Sequence, residues 1–183
     1  MYYLTRIRET IRVPPNRFGE SIADVILDIS RVKNETTIGA DVGMIVAVLS
    51  IIEVSPGRIV PGDGATFHDV EYEAITFRPL DDEVSEGEVV ETTKFGFFMR
   101  IGCTDALAHI SQIADEYFQM SSRSSGVLVG RESGRTIRPG DLVRGRIITA
   151  TVDHVSMKIA VTMKGEGLGL KSWLEDTSAK EKT

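Results

Sequence analysis

The sequence predicts an α+β chain in two parts, a small α/β domain over residues 1–80 and an all-β domain over residues 81–183. Three observations carry this expectation. An amphipathic helical pattern lies among strand-like segments in the first part, the composition changes sharply at residues 81–91, and short strands punctuated by glycine follow. With 183 residues, 42% of them hydrophobic, length alone fits one globular domain or two small ones. The change of composition is what argues for two.

Tyr3, Thr5, Ile7 and Ile11 alternate loosely with polar neighbours, as in a strand that ends at Pro14-Pro15. In FGESIADVILDISRVK the apolar Ile22, Val25, Ile26, Ile29 and Val32 recur at steps of three and four, so an amphipathic helix packs there on something flat. Asn34 ends it. VGMIVAVLSIIEV is unbroken and rich in β-branched residues, the texture of a central strand buried on both faces. GRIVPGDG reads as a short loop or hairpin whose glycines permit tight turns. FHDVEYEAITFRP is a further strand, with Val70, Tyr72, Ala74 and Ile75 facing inward.

DDEVSEGEVVE, residues 81 to 91, carries six carboxylates and no basic residue directly after Pro79, which suits an exposed joint with the boundary near Leu80. From Glu88 the texture is all-β: EVVETTK, FFMRI, GVLVG, LVRGRIITATV and a final KIAVTM. A short helical turn, ISQIADEYF, interrupts it, and SSRSSG reads as a mobile loop. The tail KSWLEDTSAKEKT begins helical and ends charged and frayed.

Composition limits the function classes. The net charge is −6, with 27 acidic against 21 basic side chains, so any nucleic-acid surface has to be local. Cys103 is the only cysteine, which excludes an internal disulfide and a cysteine-based zinc finger and fits a reducing cytoplasm. It is expected to be a small buried side chain. No signal peptide and no run of about 20 apolar residues is present, so a cytoplasmic protein with no membrane partner is expected. His68 beside Asp69, and His154 beside Asp153, face opposite ways in a strand and form no catalytic pair. The serines near His109 lack an acidic third member. Without CxxC, HExxH or GxxxxGK[ST], the ligands for zinc and for a nucleotide loop are missing; GDG at 62–64 is a turn, and the contiguous carboxylates of 81–91 are solvated rather than a cation site. The expectation is a non-enzyme with no catalytic residue, no metal and no cofactor.

The segment KFGFFMRIG, residues 94 to 102, places three phenylalanines within four residues, more than strict alternation buries on one side. A five-stranded OB barrel exposes a face of its second and third strands, where aromatic rings stack unpaired bases. A bulge at Gly96 puts Phe95 and Phe98 on that face with Arg100 and turns Phe97 and Met99 inward. The other reading keeps all three rings in the core of a small barrel. Between Arg123 and Arg146 six arginines stand against Glu132 and Asp141; near exposed rings they neutralise phosphates, and otherwise they are a solvated loop and strand.

EGEVVETTKFGFFMRIGCTDALAHISQI, followed by PGDLVRGRI, resembles an S1 domain: a strand, an aromatic-Gly-x-aromatic strand, then a step into His-Ile-Ser. With VPPNRFGESI, GDGATFHDVEYEAITFRP and KIAVTMKGEGLG, essentially the whole chain is similar to the E-prime family of archaeal RNA polymerase stalk proteins, counterpart of the eukaryotic polymerase stalk subunit seven. The resemblance implies an N-terminal RNP-like α/β domain that docks on the RNA polymerase core, followed by an all-β OB-fold (S1-type) barrel that contacts emerging single-stranded RNA. It also implies a heterodimer with a small helical stalk partner, the F component of such polymerases. On this resemblance the docking tip comprises Pro14, Pro15, Asn16, Arg17 and Phe18 together with Ile59, Val60, Pro61, Gly62, Asp63 and Gly64 of the segment Gly57 to Gly64. The RNA face comprises Lys94, Phe95, Phe98, Arg100 and His109, with Lys158 or Arg144 and Arg146 nearby; His109 either contacts RNA or hydrogen-bonds within the barrel. The loop before the last strand is short here, VDHVSMK, with Lys158 its sole basic residue, which implies a lower RNA affinity than in relatives with a longer basic loop. The alternative is an S1 component of an RNA-processing (exosome cap) or translation complex, disfavoured by the lack of a KH or zinc-ribbon segment after Met163. A hydrolase with an appended barrel requires a catalytic site in the first 80 residues.

Overall fold

The computed structural model describes residues 1–121 and 126–180, and packing divides the chain into Met1–Arg78 with Val152–Ser156 and Pro79–Thr151 with Met157–Thr183. Residues 122–125 of the expected SSRSSG loop, and the last three residues of the tail expected to fray, lie outside the described residues.

In the first unit, strand β1 (Tyr2–Val13), a 3-10 turn (Pro15–Arg17), helix α1 (Ile22–Asn34), β2 (Ile38–Gly39), β3 (Gly43–Val54), β4 (Arg58–Ile59) and β5 (Thr66–Phe77) follow in order. β5 is the central strand. It pairs antiparallel with β1 over its whole length, from Tyr2 opposite Phe77 to Val13 opposite Thr66, and with β3 on its other edge. Its even-numbered residues from His68 to Thr76 are buried, and Ile75 instead lies on the opposite face because alternation in β5 is unbroken. Helix α1 covers the inward face, forming a core of Ile11, Val13, Val25, Ile26, Ile45, Val48, Val70, Tyr72 and Ala74. Each such Val or Ile contributes about 1.5–3 kcal/mol over the exposed state.

Two details differ from the periodic reading. The buried face of α1 turns through Ser30 and Asn34, while Val32 is exposed. Asn34 is drawn inward by a polar requirement: the buried Tyr72 hydroxyl accepts from Asn34 Nδ2 at 2.9 Å and donates to Glu9 Oε1 at 3.1 Å. Burial, followed by the Glu9 charge, pushes the Tyr72 phenol above its ordinary value. Second, β3 is not buried on both faces. Its pairing with β5 slips between Ile45 and Ala47, Val48 and Ser50, and Ile51 and Glu53, so the alternation breaks repeatedly and Leu49 and Ile52 are exposed. Its far edge meets β2 only at Gly43 and Met44 among the described residues.

The second unit contains β6 (Val84–Thr93), β7 (Gly96–Ile101), β8 (Thr104–His109), a 3-10 turn (Ile110–Gln112), β9 (Phe118–Met120), β10 (Leu128–Gly130), β11 (Thr136–Ile137), β12 (Leu142–Val152), β13 (Met157–Thr162), β14 (Gly169–Leu170) and α2 (Lys171–Lys180). Strands β13-β8-β7-β6-β12 run side by side, and β12 pairs back to β13, which closes a five-stranded barrel. β8 and β13 are parallel, whereas β7 pairs antiparallel with both β6 and β8, and β6 antiparallel with β12. Strands β9, β10 and β11 form a separate three-stranded ribbon inserted between β8 and β12, so Phe118 starts a strand rather than ending a helical turn. The acidic run is not a free joint either: most of it is β6, with Glu86 and Glu88 outward and Val89 inward.

The barrel depends on small residues where strands approach. Phe97, Met99 and Ile101 of β7 point inward over Ala106 and Ala108 of β8, all fully or almost fully buried. Gly96 has φ +149°, and a Cβ there would lie 2.0 Å from the Ala108 carbonyl oxygen. The bulge expected at Gly96 is elsewhere. The β7–β8 register is unbroken, and the slip falls on β6 between Val89 and Glu91. Replacing Gly96 by alanine is expected to cost more than about 2 kcal/mol in urea unfolding, since strain and overpacking add. An unchanged midpoint would show that the close approach is not required.

Candidate functional site

The β6–β7 hairpin sets the aromatic face. Thr93 and Gly96 form its last pair, leaving Lys94 and Phe95 as a two-residue loop, and the Thr93 hydroxyl donates to the Gly96 carbonyl at 3.0 Å. The Ile110 N–H donates to the Phe95 carbonyl at 2.8 Å and pins the loop against the end of β8. Phe95 therefore leaves the strand before alternation applies to it and stands 49% exposed. Its ring meets that of Phe98 edge to face, centroids 6.3 Å apart at 89°. Phe97 is core. Two rings face outward and one fills the barrel, the placement expected although without a bulge at Gly96; the reading that keeps all three rings in the core does not hold.

Around these rings the cations differ in their freedom. Arg100 faces outward but donates through Nε to Asp105 Oδ1 at 2.9 Å and through Nη2 to Oδ2 at 3.3 Å; the hydrogen bond, then the charge of Asp105, raises its pKa. His109 caps the following 3-10 turn, with Nδ1 accepting the Ser111 N–H at 3.3 Å and lying 2.8 Å from the Ser111 hydroxyl. It sits opposite Gly96 in the register, next to the Phe95 loop. Lys94 is exposed beside Phe95. Lys158 and Phe98, with Leu107, Thr149, Thr151 and Met157, line a shallow depression of about 380 Å³.

Arg144 and Arg146 are placed elsewhere. Arg144 lies opposite Glu86, and donates to its Oε1 through Nε at 2.8 Å and Nη2 at 2.6 Å. That contact holds the Glu86 carboxyl below the ordinary carboxylate value. Glu86 is five residues along β6 from Glu91, the partner of Phe98, roughly 16 Å at the strand rise. Arg146 is one outward position further away, opposite Val84. The structure thus gathers Lys94, Phe95, Phe98, Arg100, His109 and Lys158, and separates Arg144 and Arg146 from them.

At the other unit, the two segments expected to form a tip come together. The Pro14 and Pro15 carbonyls accept from the N–H groups of Arg17 and Phe18, both at 3.1 Å, and the Asp63 N–H donates to the Val60 carbonyl at 3.0 Å. A Cβ on Gly64 would sit 3.5 Å from Pro15 Cγ. Arg12 clamps Asp63 with two bonds of 2.8 and 2.7 Å, and this hydrogen bonding, ahead of that from the Ala65 N–H, holds the Asp63 carboxyl below its ordinary value. Arg17 is tied to Glu20 and Asp28. Asn16 and Pro61 are exposed, and Phe18, Ile59 and Val60 present apolar side chains to solvent, Ile59 at 75%. Gly62 has φ +89°, while Gly64 carries no positive φ, so only the first needs to be glycine for its backbone.

His68 is a structural residue, its ring nitrogens at 2.9 Å from the Ser55 carbonyl and 3.1 Å from the Thr66 hydroxyl, and Asp69 on the other face binds Arg58. Cys103 is half-buried, and burial raises its thiol pKa. Among the described residues no group of three His, Cys, Asp or Glu is arranged to hold a metal, and no helix is long and apolar enough to cross a membrane.

Sequence reasoning missed one cluster. Of the arginine-rich stretch, whose Arg123 lies outside the described residues, Arg131 lies 4.7 Å over the Tyr117 ring and Arg135 5.1 Å over Trp173. These pairs depend on β9–β10 pairing and on a residue from α2, so nothing local in the sequence signals them.

Comparison with known proteins adds the family context. The family model described as the SHS2 domain found in the N terminus of Rpb7p/Rpc25p/MJ0397 matches residues 8–64, and the S1 RNA binding domain matches residues 78–161. The DNA-directed RNA polymerase subunit Rpo7 of Saccharolobus solfataricus is 37% identical over 179 residues, covering 97% of this chain and 99% of the relative. The same subunit of Saccharolobus shibatae is 38% identical over 183 residues, covering 99% and 100%. The DNA-directed RNA polymerase II subunit rpb7 of Schizosaccharomyces pombe is 27% identical over 171 residues, covering 92% and 98%.

Proposed function

The chain belongs to the Rpo7 family of DNA-directed RNA polymerase subunits, and from that premise we propose that it is a non-catalytic stalk subunit of an archaeal polymerase. It docks on the polymerase core, dimerises with the small helical F component of the stalk, and holds emerging single-stranded RNA during initiation and elongation. The observation that carries the RNA role is the Phe95–Phe98 pair, two rings kept outside a barrel whose core is already filled by Phe97. Stacking on rings does not select a base sequence, as a surface that meets every transcript requires, and contributes roughly 1–3 kcal/mol per base. Phosphates are met by Lys94 and Lys158. Arg100 exchanges Asp105 for a phosphate only at a cost, so affinity is modest and falls with salt.

Docking is assigned to the Pro14–Phe18 and Ile59–Gly64 tip, supported by the exposed Phe18, Ile59 and Val60 on a rigid, clamped turn. Polymerase components are cytoplasmic in such a cell, and the chemistry of nucleotide addition belongs to the rest of the complex.

The double variant Phe95→Ala with Phe98→Ala is expected to weaken binding of single-stranded RNA by at least about tenfold in fluorescence anisotropy while keeping the folded circular-dichroism signal. Loss of the folded signal would make both rings core residues and end the stacking role. For docking, Ile59→Glu and Gly62→Val are each expected to reduce co-purification of the large polymerase subunits with tagged chain, one by burying a charge and the other by straining the turn. Undiminished recovery in both would remove the tip assignment.

A further inference from the structure

We propose that the β9–β11 ribbon is a second contact for single-stranded RNA, continuing the path from the Phe95–Phe98 face onto Tyr117, Arg131 and Arg138; this rests on the RNA role of that face. The first support is charge. The arginines expected on the barrel face, Arg100 and Arg144, are held by Asp105 and Glu86. Among the described residues, no carboxylate lies within ion-pair distance of Arg131, Arg135 or Arg138, although all three are exposed.

Neighbouring acids are already engaged. Asp115 pairs with Lys164 at 2.9 Å. Glu116 accepts the Ser133 hydroxyl and the N–H groups of Ser133 and Glu132, both at 3.0 Å; these bonds, the Ser133 hydroxyl first, and then the charge of Arg135 hold its carboxyl below the ordinary value. Asp141 accepts the Arg138 backbone N–H at 2.8 Å, and the Arg138 side chain is exposed. Glu132 is the acid that stands against three arginines here. In a chain of net charge −6 this is a local cationic surface.

The second support is the aromatic chemistry. Tyr117 is 60% exposed while Arg131 lies 4.7 Å over its ring, so the ring offers surface to a base beside a guanidinium for the phosphate. Arg135 is fixed over Trp173, which itself stacks on the buried Phe118 with centroids 6.3 Å apart. That pair anchors the ribbon. The third support is continuity: a shallow depression of about 300 Å³ is lined by Ser111, the partner of His109, and by Tyr117, together with Asp115, which is paired with Lys164, and Glu116, whose carboxylate is held by Ser133 and Glu132. An acidic peptide would use the arginines and leave the ring unused. Single-stranded RNA uses both.

The test compares fluorescein-labelled oligouridines of about 6 and about 20 nucleotides, below and above the span of one barrel face, on the full chain. With Arg131→Ala plus Arg138→Ala, and separately with Tyr117→Ala, the longer RNA is expected to bind about fivefold or more weakly and the shorter one to change little. The double arginine variant should also flatten the salt dependence of the longer RNA by about 1.4 in slope, two phosphates' worth for single strands. Unchanged affinity and slope for the longer RNA, with the shorter still bound, overturns the ribbon contact and leaves the barrel face standing. Failure of the unaltered chain to bind either RNA overturns the RNA role itself. Should a variant lose its folded signal, photo-crosslinking of a 4-thiouridine 20-mer to the unaltered chain decides: adducts at Tyr117 or on β10 support the contact, and their absence overturns it.

Discussion

The proposed RNA face depends on one close approach, the backbone of Gly96 against the carbonyl of Ala108. A side chain at residue 96 would push β7 from β8 and open the hairpin that carries Phe95 outward. Beneath that contact Ala106 and Ala108 leave room for Phe97 and Met99, so the large inward side chains come from one strand and the small ones from its neighbour. A filled core is what frees Phe95 and Phe98. The Ile110 N–H bond to Phe95 then fixes the loop, and His109 and its 3-10 turn follow at the same edge.

Electrostatics divide the arginines into two groups. Arg12, Arg17, Arg100 and Arg144 are each tied to a carboxylate and serve the architecture, fixing the tip turn, the β7–β8 edge and the start of the barrel. Being exposed pairs they contribute little to stability, but they decide which cations remain for a polyanion. Among the described residues of the barrel unit, the lysines at the rings, the arginines of the ribbon and Arg146 stand outside those ion pairs. The proposed RNA path follows the first two of these groups in a chain that is acidic as a whole.

Much of the architecture was legible. The helix from Ile22 and the alternation of β5 follow from period alone. The sequence places Phe97 and Met99 inward, but through a bulge at Gly96 that the structure lacks. The turns at Pro14 and Gly62 are legible as turns, while their pairing comes from the family resemblance. The exposure of Phe95 was also legible, but its cause was not: a two-residue loop and a bulge leave the same residue spacing. β3 misled because an unbroken apolar run looks the same whether it is buried twice or bulged three times. β8 was nearly silent, since its inward positions are alanines. The pairing of Arg144 with Glu86 joins residues 58 apart, and Tyr117, Arg131 and Trp173 meet only through tertiary packing, so neither the loss of one cation nor the ribbon cluster is visible along the chain.

The most direct measurement is photo-crosslinking in a stalled elongation complex assembled with this chain, with 4-thiouridine placed in the transcript just beyond the polymerase exit. Adducts are expected within the hairpin and strand from Lys94 to Arg100, and are expected to disappear when Phe95 and Phe98 are both alanine. Transcript adducts confined to residues 1–78, or adducts on the barrel that persist unchanged in the double variant, would contradict a stacking face on the outside of the barrel.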